Sequence, residues 1–179
     1  KLIVDPVMGN DGSFYNGFSN SYCEKMKDLC KKADIIVPNL TEACFLTGYE
    51  YGDGVVDEPQ IEEIFERLKE FGMDKIIITG VRKKDDYIGT AVMDGKREDR
   101  AFYKEVEGVY HGAGDVFGAA LACGMAYDCN FVASARTAHI FTYMSILKTK
   151  SARTDTREGL NFEECLKIIT DVYNGDNRR

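Results

Sequence analysis

The chain has 179 residues, 44% hydrophobic and 30% charged, with 3 prolines and 17 glycines. That composition excludes a disordered tail, a collagen-like rod and a low-complexity linker, and the length suits one well-buried domain rather than two. Lys and Arg number 23 against 30 Asp and Glu, a net charge of −7 that argues against a general nucleic-acid binder. Residues 2–4 open the chain as a short buried strand, with no initiator Met and no lead-in, and the strand stops at Asp5-Pro6. Gly9, Asn10, Asp11 and Gly12 mark a turn-rich loop. Ser19 or Asn20 can cap a helix running to about residue 32, with Tyr22, Met26, Leu29 and Cys30 expected on its apolar face. Residues 35–37 form a second short strand, stopped by Pro38, and Asn39 opens a short helix that ends at Gly48. After a loop rich in Gly and Asp, Asp57 caps the clearest helix of the chain. Pro59 lies in its first turn, Ile61, Ile64, Phe65 and Leu68 fall at helical spacing, and Gly72 ends it. Residues 75–79 form a third buried strand.

The pattern then changes to a hairpin, with strands at about 87–93 and 96–105 around Asp94-Gly95. Helices are expected from about Gly114 to 127 and from 131 to 148, with a polar loop over 151–159. Asn161 with Glu164 predicts a capping box for a last helix to about Tyr173. Short apolar strands alternating with helices argue a parallel sheet covered on both faces, and the hairpin adds an antiparallel edge. No apolar run approaches the ~18 residues of a membrane span, and no signal peptide is evident. The six cysteines form no C-x-x-C pair, so buried, reduced thiols in a cytoplasmic protein are expected, with no membrane or nucleic-acid partner. Two histidines are too few for a His-rich metal site.

In such sheets ligands bind beyond the carboxyl ends of the strands. Asp5 follows the first strand, Asn39 and Glu42 the second, and Thr79 and Gly80 the third. Gly112-Ala113-Gly114-Asp115 is the sharpest motif, because two glycines at a helix N-terminus can turn backbone N–H groups toward one anion. It is neither a Walker loop, lacking Lys-Ser/Thr, nor a dinucleotide fingerprint, since Phe117 replaces the third glycine. Asp115 reads either as a base for a hydroxyl attacking phosphorus or as a carboxylate favoured in a first helical turn. Asn39 and Glu42 read either as a capping box or as a phosphate and Mg²⁺-water site. Thr79-Gly80 reads as a phosphate contact or as a plain turn.

The strings Asp5-Pro-Val-Met-Gly9, Ala33-Asp-Ile-Ile-Val-Pro-Asn-Leu-Thr-Glu-Ala43, Ile78-Thr-Gly80 and Gly112-Ala-Gly-Asp-Val-Phe117 occur in the order of the ribokinase-like superfamily. The resemblance covers essentially the whole chain. The first two strings most resemble the vitamin B6 branch, the pyridoxal kinases; the hydroxymethylpyrimidine (phosphate) kinases share similar strings.

The resemblance implies a three-layer α/β/α fold with a mostly parallel central sheet and an antiparallel hairpin at one edge. It implies ATP-dependent phosphorylation of the 5′-hydroxymethyl of pyridoxal, pyridoxine or pyridoxamine. Asp115 would be the general base, and the amides of Gly112, Ala113 and Gly114 an anion hole for the transferring phosphoryl. Asp5, Asn39 and Glu42 would organise Mg²⁺, its waters and the phosphates, with Asp5 and Glu42 as its carboxylates. Thr79 and Gly80 would meet the ATP phosphates. Val106, Val109 and the helix starting near Phe131 would border the adenine, and a monovalent cation such as K⁺ would lie near the phosphates. Ala113 stands where Thr is common, which leaves a backbone hole intact.

Family members begin with a further nucleotide-fold half carrying much of the B6 pocket. The chain, starting at the strand that bears Asp5, is therefore expected to be the C-terminal ATP-binding part, as an excised piece or a truncated gene product. Self-association or a homodimer is expected from the apolar strand edge this would leave. A non-catalytic nucleotide-binding or interaction module is the competing reading, since phosphoryl transfer needs both substrates aligned.

Overall fold

The computed structural model describes residues 1–176, which form two compact units, one from Lys1 to Lys104 and the other beginning at Glu105. The first unit contains β1 (Ile3–Val4), β2 (Gly9–Asn10), β3 (Ser13–Phe14), α1 (Asn20–Cys30), β4 (Ile35–Ile36), α2 (Leu40–Thr47), α3 (Glu58–Lys69), β5 (Lys75–Lys83), β6 (Tyr87–Asp94) and β7 (Arg97–Lys104). Its main sheet has the order β1-β4-β5-β6-β7. The pairs β1–β4 and β4–β5 are parallel, and β6 and β7 continue the sheet as the expected antiparallel hairpin. Ile36, Ile76, Ile78, Ala91 and Met93 from this sheet share one core with Leu46, Ile61, Ile64, Phe65 and Leu68 from α2 and α3. The α3 stripe matches its sequence spacing because Asp57 and Gln60 close a capping box and Pro59 occupies the first turn.

Three local expectations for this unit change. The loop after Gly9 is a tight antiparallel hairpin, β2 on β3, with Gly9 opposite Phe14 and Asn10 opposite Ser13. Two residues per strand are too few to show a period, so only the turn chemistry is legible. On α1 the buried residues are Cys23 and Cys30, with Met26 half-buried, whereas Tyr22 and Leu29 are exposed. The small thiols act as apolar residues and set the inward face, while Tyr22 packs edge-on against Phe18 at 4.6 Å. β5 continues to Lys83, past the expected end at Thr79.

The second unit holds α4 (Ala113–Ala126), α5 (Phe131–Ala152) and α6 (Leu166–Asp176), with 3₁₀ turns at Thr156–Glu158 and Glu163–Cys165. α5 runs beyond the expected residue 148 and shortens the polar loop. The Asn161–Glu164 capping box does not form. The Asn161 backbone N–H donates to Thr149 Oγ1 and its side-chain amide donates to Thr154 Oγ1, both at 2.8 Å. Glu164 instead meets Lys148 Nζ at 2.7 Å. Asn161 thus ties the loop back to the end of α5, and α6 starts only at Leu166.

The cysteines are free thiols, four of them buried, and burial pushes Cys30 up to about 12 and Cys44 up to about 11. No helix among the described residues is long and apolar enough to cross a membrane.

Gly124 lies where α4 closely approaches Ser134 and Tyr173. A Cβ there would fall inside contact distance of Ser134 Oγ and 2.8 Å from Tyr173 Oη, whose hydroxyl donates to the Ala120 carbonyl at 3.0 Å. Gly124→Ala is expected to destabilise the chain by about 1–3 kcal/mol through overpacking, measured by denaturant unfolding.

His139 is buried on α5, and burial lowers its pKa to about 4 from the usual 6.5. The folded state therefore binds fewer protons than the unfolded chain, so stability is full above pH 6.5 and is lost as pH falls toward 4. Over that window His139→Gln is expected to lose less stability than the parent chain, by on the order of 2 kcal/mol, read from unfolding curves at stepped pH.

Candidate functional site

In the first unit the site grows from the start of α2. Asn39 caps the helix in extended conformation, and its Oδ1 accepts the Glu42 N–H at 2.9 Å. Glu42 Oε2 accepts the Asn39 N–H at 2.8 Å, which completes the capping box. The same residues then reach across to the hairpin. Glu42 Oε1 accepts the Met8 N–H at 3.0 Å, and Asn39 Nδ2 donates to the Gly9 carbonyl at 2.9 Å. The buried Thr41 Oγ1 accepts the Gly12 N–H at 3.0 Å. Three consecutive-turn side chains of α2 and its cap therefore fix the segment from Met8 to Gly12.

Glu42 is 2% exposed. Burial pushes its pKa up to about 7 against the pull of its backbone hydrogen bonds, and the nearby Asp5 carboxylate raises it further. Asp5 itself is exposed just past β1. Thr79 joins this end of the sheet, since its N–H donates to the Pro38 carbonyl at 2.9 Å and it bridges Asn39 in parallel register. Gly80 follows in left-handed conformation, φ +64°. The unit thus brings together Asp5, Asn39 and Glu42, just past β1 and β4, with Thr79 and Gly80, which lie beside Asn39 within β5 rather than at its end.

Sequence reasoning missed Thr41 and Tyr15. Thr41 sits inside the Asn-x-x-Glu box and reads there as one more helical residue. Tyr15 is raised in pKa by burial and by Glu42, Asp11 and Asp5, which places its phenol among these carboxylates. Its N–H donates to the Met8 carbonyl at 3.0 Å, a pairing that follows only once the hairpin is seen.

Among the described residues no group of three or more His, Cys, Asp or Glu side chains could hold a metal ion. Mg²⁺ does not need one, because it keeps several waters and takes one or two carboxylates. Asp5 and Glu42, close enough to repel one another, fit that donor set.

In the second unit Gly112 is the N-cap of α4 at φ +81°, a conformation that an L side chain rarely adopts. Val116 N–H closes the first helical bond on the Gly112 carbonyl at 2.9 Å. The N–H groups of residues 113–115 therefore precede the helical ladder and are available to an acceptor. Gly114 and Asp115 are exposed there. Val106 is half-buried and Val109 is exposed in the segment leading to Gly112.

The chain is an α/β protein that carries acidic and amide groups past its parallel strands and, separately, a left-handed glycine opening a helix. The sequence model of the phosphomethylpyrimidine kinase family matches residues 1–159, and the chain belongs to that family. None of the curated proteins compared matches it. A protein from Bacteroides thetaiotaomicron assigned as a phosphomethylpyrimidine kinase is 26% identical, with TM-score 0.85 over 95% of this chain and 58% of that one. Another crystal form of that protein holds pyridoxal. Pyridoxal kinase from Lactobacillus plantarum is 30% identical, with TM-score 0.83 over 95% of this chain and 61% of that one. Pyridoxal kinase from Leishmania donovani, solved with ADP and pyridoxamine, shares the fold at 22% identity, TM-score 0.78, over 94% of this chain and 58% of that one. The fold is thus the ribokinase-like fold of the pyridoxal kinases, and the chain spans about three-fifths of the length of these structures.

Glu42→Ala would leave the Met8 and Asn39 N–H groups without their carboxylate. A loss of about 1–3 kcal/mol is expected. Amide hydrogen exchange should speed up at Met8 and at Gly12 while remaining unchanged in α3.

Proposed function

We propose that this chain serves the transfer of the γ-phosphoryl of ATP to the 5′-hydroxymethyl of pyridoxal, pyridoxine or pyridoxamine. The observation that carries the reading is the cradle of α4: a left-handed Gly112, free first-turn amides and an exposed Asp115 carboxylate beside them. Amides aimed at one point stabilise the charge of a transferring phosphoryl. The Asp115 carboxylate accepts the proton of the attacking hydroxyl as its oxygen bonds to phosphorus and the bond to ADP breaks. Asp5 and Glu42 would hold Mg²⁺, which when bound would neutralise phosphate charge. Asn39, Thr79 and Gly80 serve the phosphates, and Val106 and Val109 the adenine. ADP in the Leishmania enzyme and pyridoxal in the Bacteroides protein support nucleotide and B6 vitamer as ligand classes.

The family match favours one second reading, phosphorylation of hydroxymethylpyrimidine or its phosphate. Both readings share the base and the cradle and differ only in the acceptor alcohol.

The test is turnover of pyridoxal and of hydroxymethylpyrimidine by the purified chain with Mg-ATP, alongside ATP binding by calorimetry. Pyridoxal is expected as the preferred acceptor. Asp115→Asn should cut turnover by roughly 10²–10⁴-fold and leave ATP affinity unchanged. Turnover that survives this substitution defeats the general-base assignment. ATP binding with no turnover of either acceptor identifies a non-catalytic nucleotide-binding module instead.

A further inference from the structure

The ladder between β5 and β6 breaks register once. Ile78 pairs with Ala91 and Val81 with Gly89, so Thr79 and Gly80 together oppose the single residue Thr90. This is a β-bulge, a device that re-aims side chains at the edge of a site. The Thr79 N–H turns away from β6 to the Pro38 carbonyl. Ile76, Ile78, Val81, Ala91 and Met93 face the core shared with α2 and α3. By alternation Ile77, Thr79, Thr90 and Val92 lie on the opposite sheet face. Thr79 and Thr90 are thus polar neighbours across the bulge, beside apolar Ile77 and Val92.

Thr90 is 3% exposed, and its hydroxyl has no hydrogen-bond partner. A buried hydroxyl without a partner carries a desolvation cost that a valine in the same space would avoid. Thr79 is half-buried, at the end of the sheet that bears Asn39.

We propose that Thr90 is a positioning residue for a nucleoside polyphosphate. Its hydroxyl donates to Thr79 Oγ1 when the nucleotide is bound, which leaves the Thr79 O–H to donate to a phosphate oxygen. Nucleotide binding then turns Thr79 Oγ1, across the bulge, toward the Thr90 hydroxyl that has no partner in the unliganded sheet. The inference rests on the assignment of Thr79 to the phosphate site.

The experiment measures Mg-ATP affinity by calorimetry and unliganded thermal stability for the chain and for Thr90→Val, Thr90→Ser, Thr79→Val and the double variant Thr79→Val/Thr90→Val. Thr90→Val is expected to keep or raise the unliganded Tm and to weaken ATP binding by roughly three- to tenfold, the scale of one net hydrogen bond. Thr90→Ser should restore affinity, and the double variant should bind no more weakly than Thr79→Val alone, because Thr90 acts through Thr79. Thr90→Val binding ATP as tightly as the unsubstituted chain overturns the inference while leaving the phosphate site standing. Equal weakening by Thr90→Val and Thr90→Ser, with a lowered Tm in both, also overturns it and assigns Thr90 to packing. An unsubstituted chain that binds no ATP overturns the phosphate-site reading and this inference together.

Discussion

The Glu42 carboxylate is the point on which the first unit turns. Taking a carboxylate out of water costs several kcal/mol unless hydrogen bonds replace the lost hydration. Glu42 accepts such bonds from the N–H groups of Met8 and Asn39, and it lies in the first turn of α2 where the helix dipole favours negative charge. Desolvation still wins, since the pKa rises to about 7 rather than falling. In α3, Gln60 closes the same capping box with a neutral amide at the surface. Capping therefore explains the geometry at position 42 but not its charge. Glutamine could cap the helix, but it has one acceptor oxygen and could not take the Met8 N–H as well, so the second carboxylate oxygen is what docks the hairpin.

The same carboxylate decides the shape of the segment that follows β1. Met8 is held by Glu42, Gly9 by Asn39 and Gly12 by Thr41, so the β2–β3 hairpin is docked on α2 by side chains that all belong to one helix start. Tyr51 backs the turn, with its ring 2.7 Å from where a Cβ on Gly12 would sit. Phe14 stacks on Phe45 at 4.0 Å, which carries the hairpin's apolar side onto α2. The exposed Asp5 and Tyr15 are thereby presented from a braced segment, and Asp11 is pinned from outside by Arg82 at 3.0 Å.

Legibility in the sequence followed the range of the interaction. The α3 helix was readable because its cap, proline and apolar stripe are all local. The β6–β7 hairpin was readable because Asp94-Gly95 sets its register, with Asp94 opposite Arg97. Asn161 with Glu164 has a capping-box spacing as good as that of Asn39 with Glu42. Thr154 and Thr149, brought close by the end of α5, compete for the Asn161 groups and win. The inward face of α1 differs from its apolar spacing because a free cysteine buries as readily as any apolar residue, so Cys23 lies inside while Tyr22 and Leu29 are exposed. Within the candidate site, Asp5, Asn39 and Glu42 could be placed by the rule of strand ends, whereas Thr79 lies within β5. Thr41 and Thr90 could not, because their significance lies in one backbone amide and one register shift, and neither is written in local spacing.

Glu42 and Asp115 each lie in the first turn of a helix, and their surroundings differ. Glu42 is enclosed, with both oxygens already accepting backbone N–H groups, so its orientation is fixed and it is poorly placed to exchange a proton with a small substrate. Asp115 stands exposed in the first turn of α4, beside amides that precede the helical ladder. A general base must meet the hydroxyl it deprotonates, and accessibility is the first condition for that. A carboxylate that holds the water shell of a metal needs the opposite quality, a position that does not change during the reaction. Under the proposed function, that separation of environment is what would let one chain supply both roles. Here it follows from a single difference: the helix start at Asn39 is covered by a hairpin that its own side chains hold in place, while the helix start at Gly112 opens on a glycine whose backbone leaves the first turn uncovered.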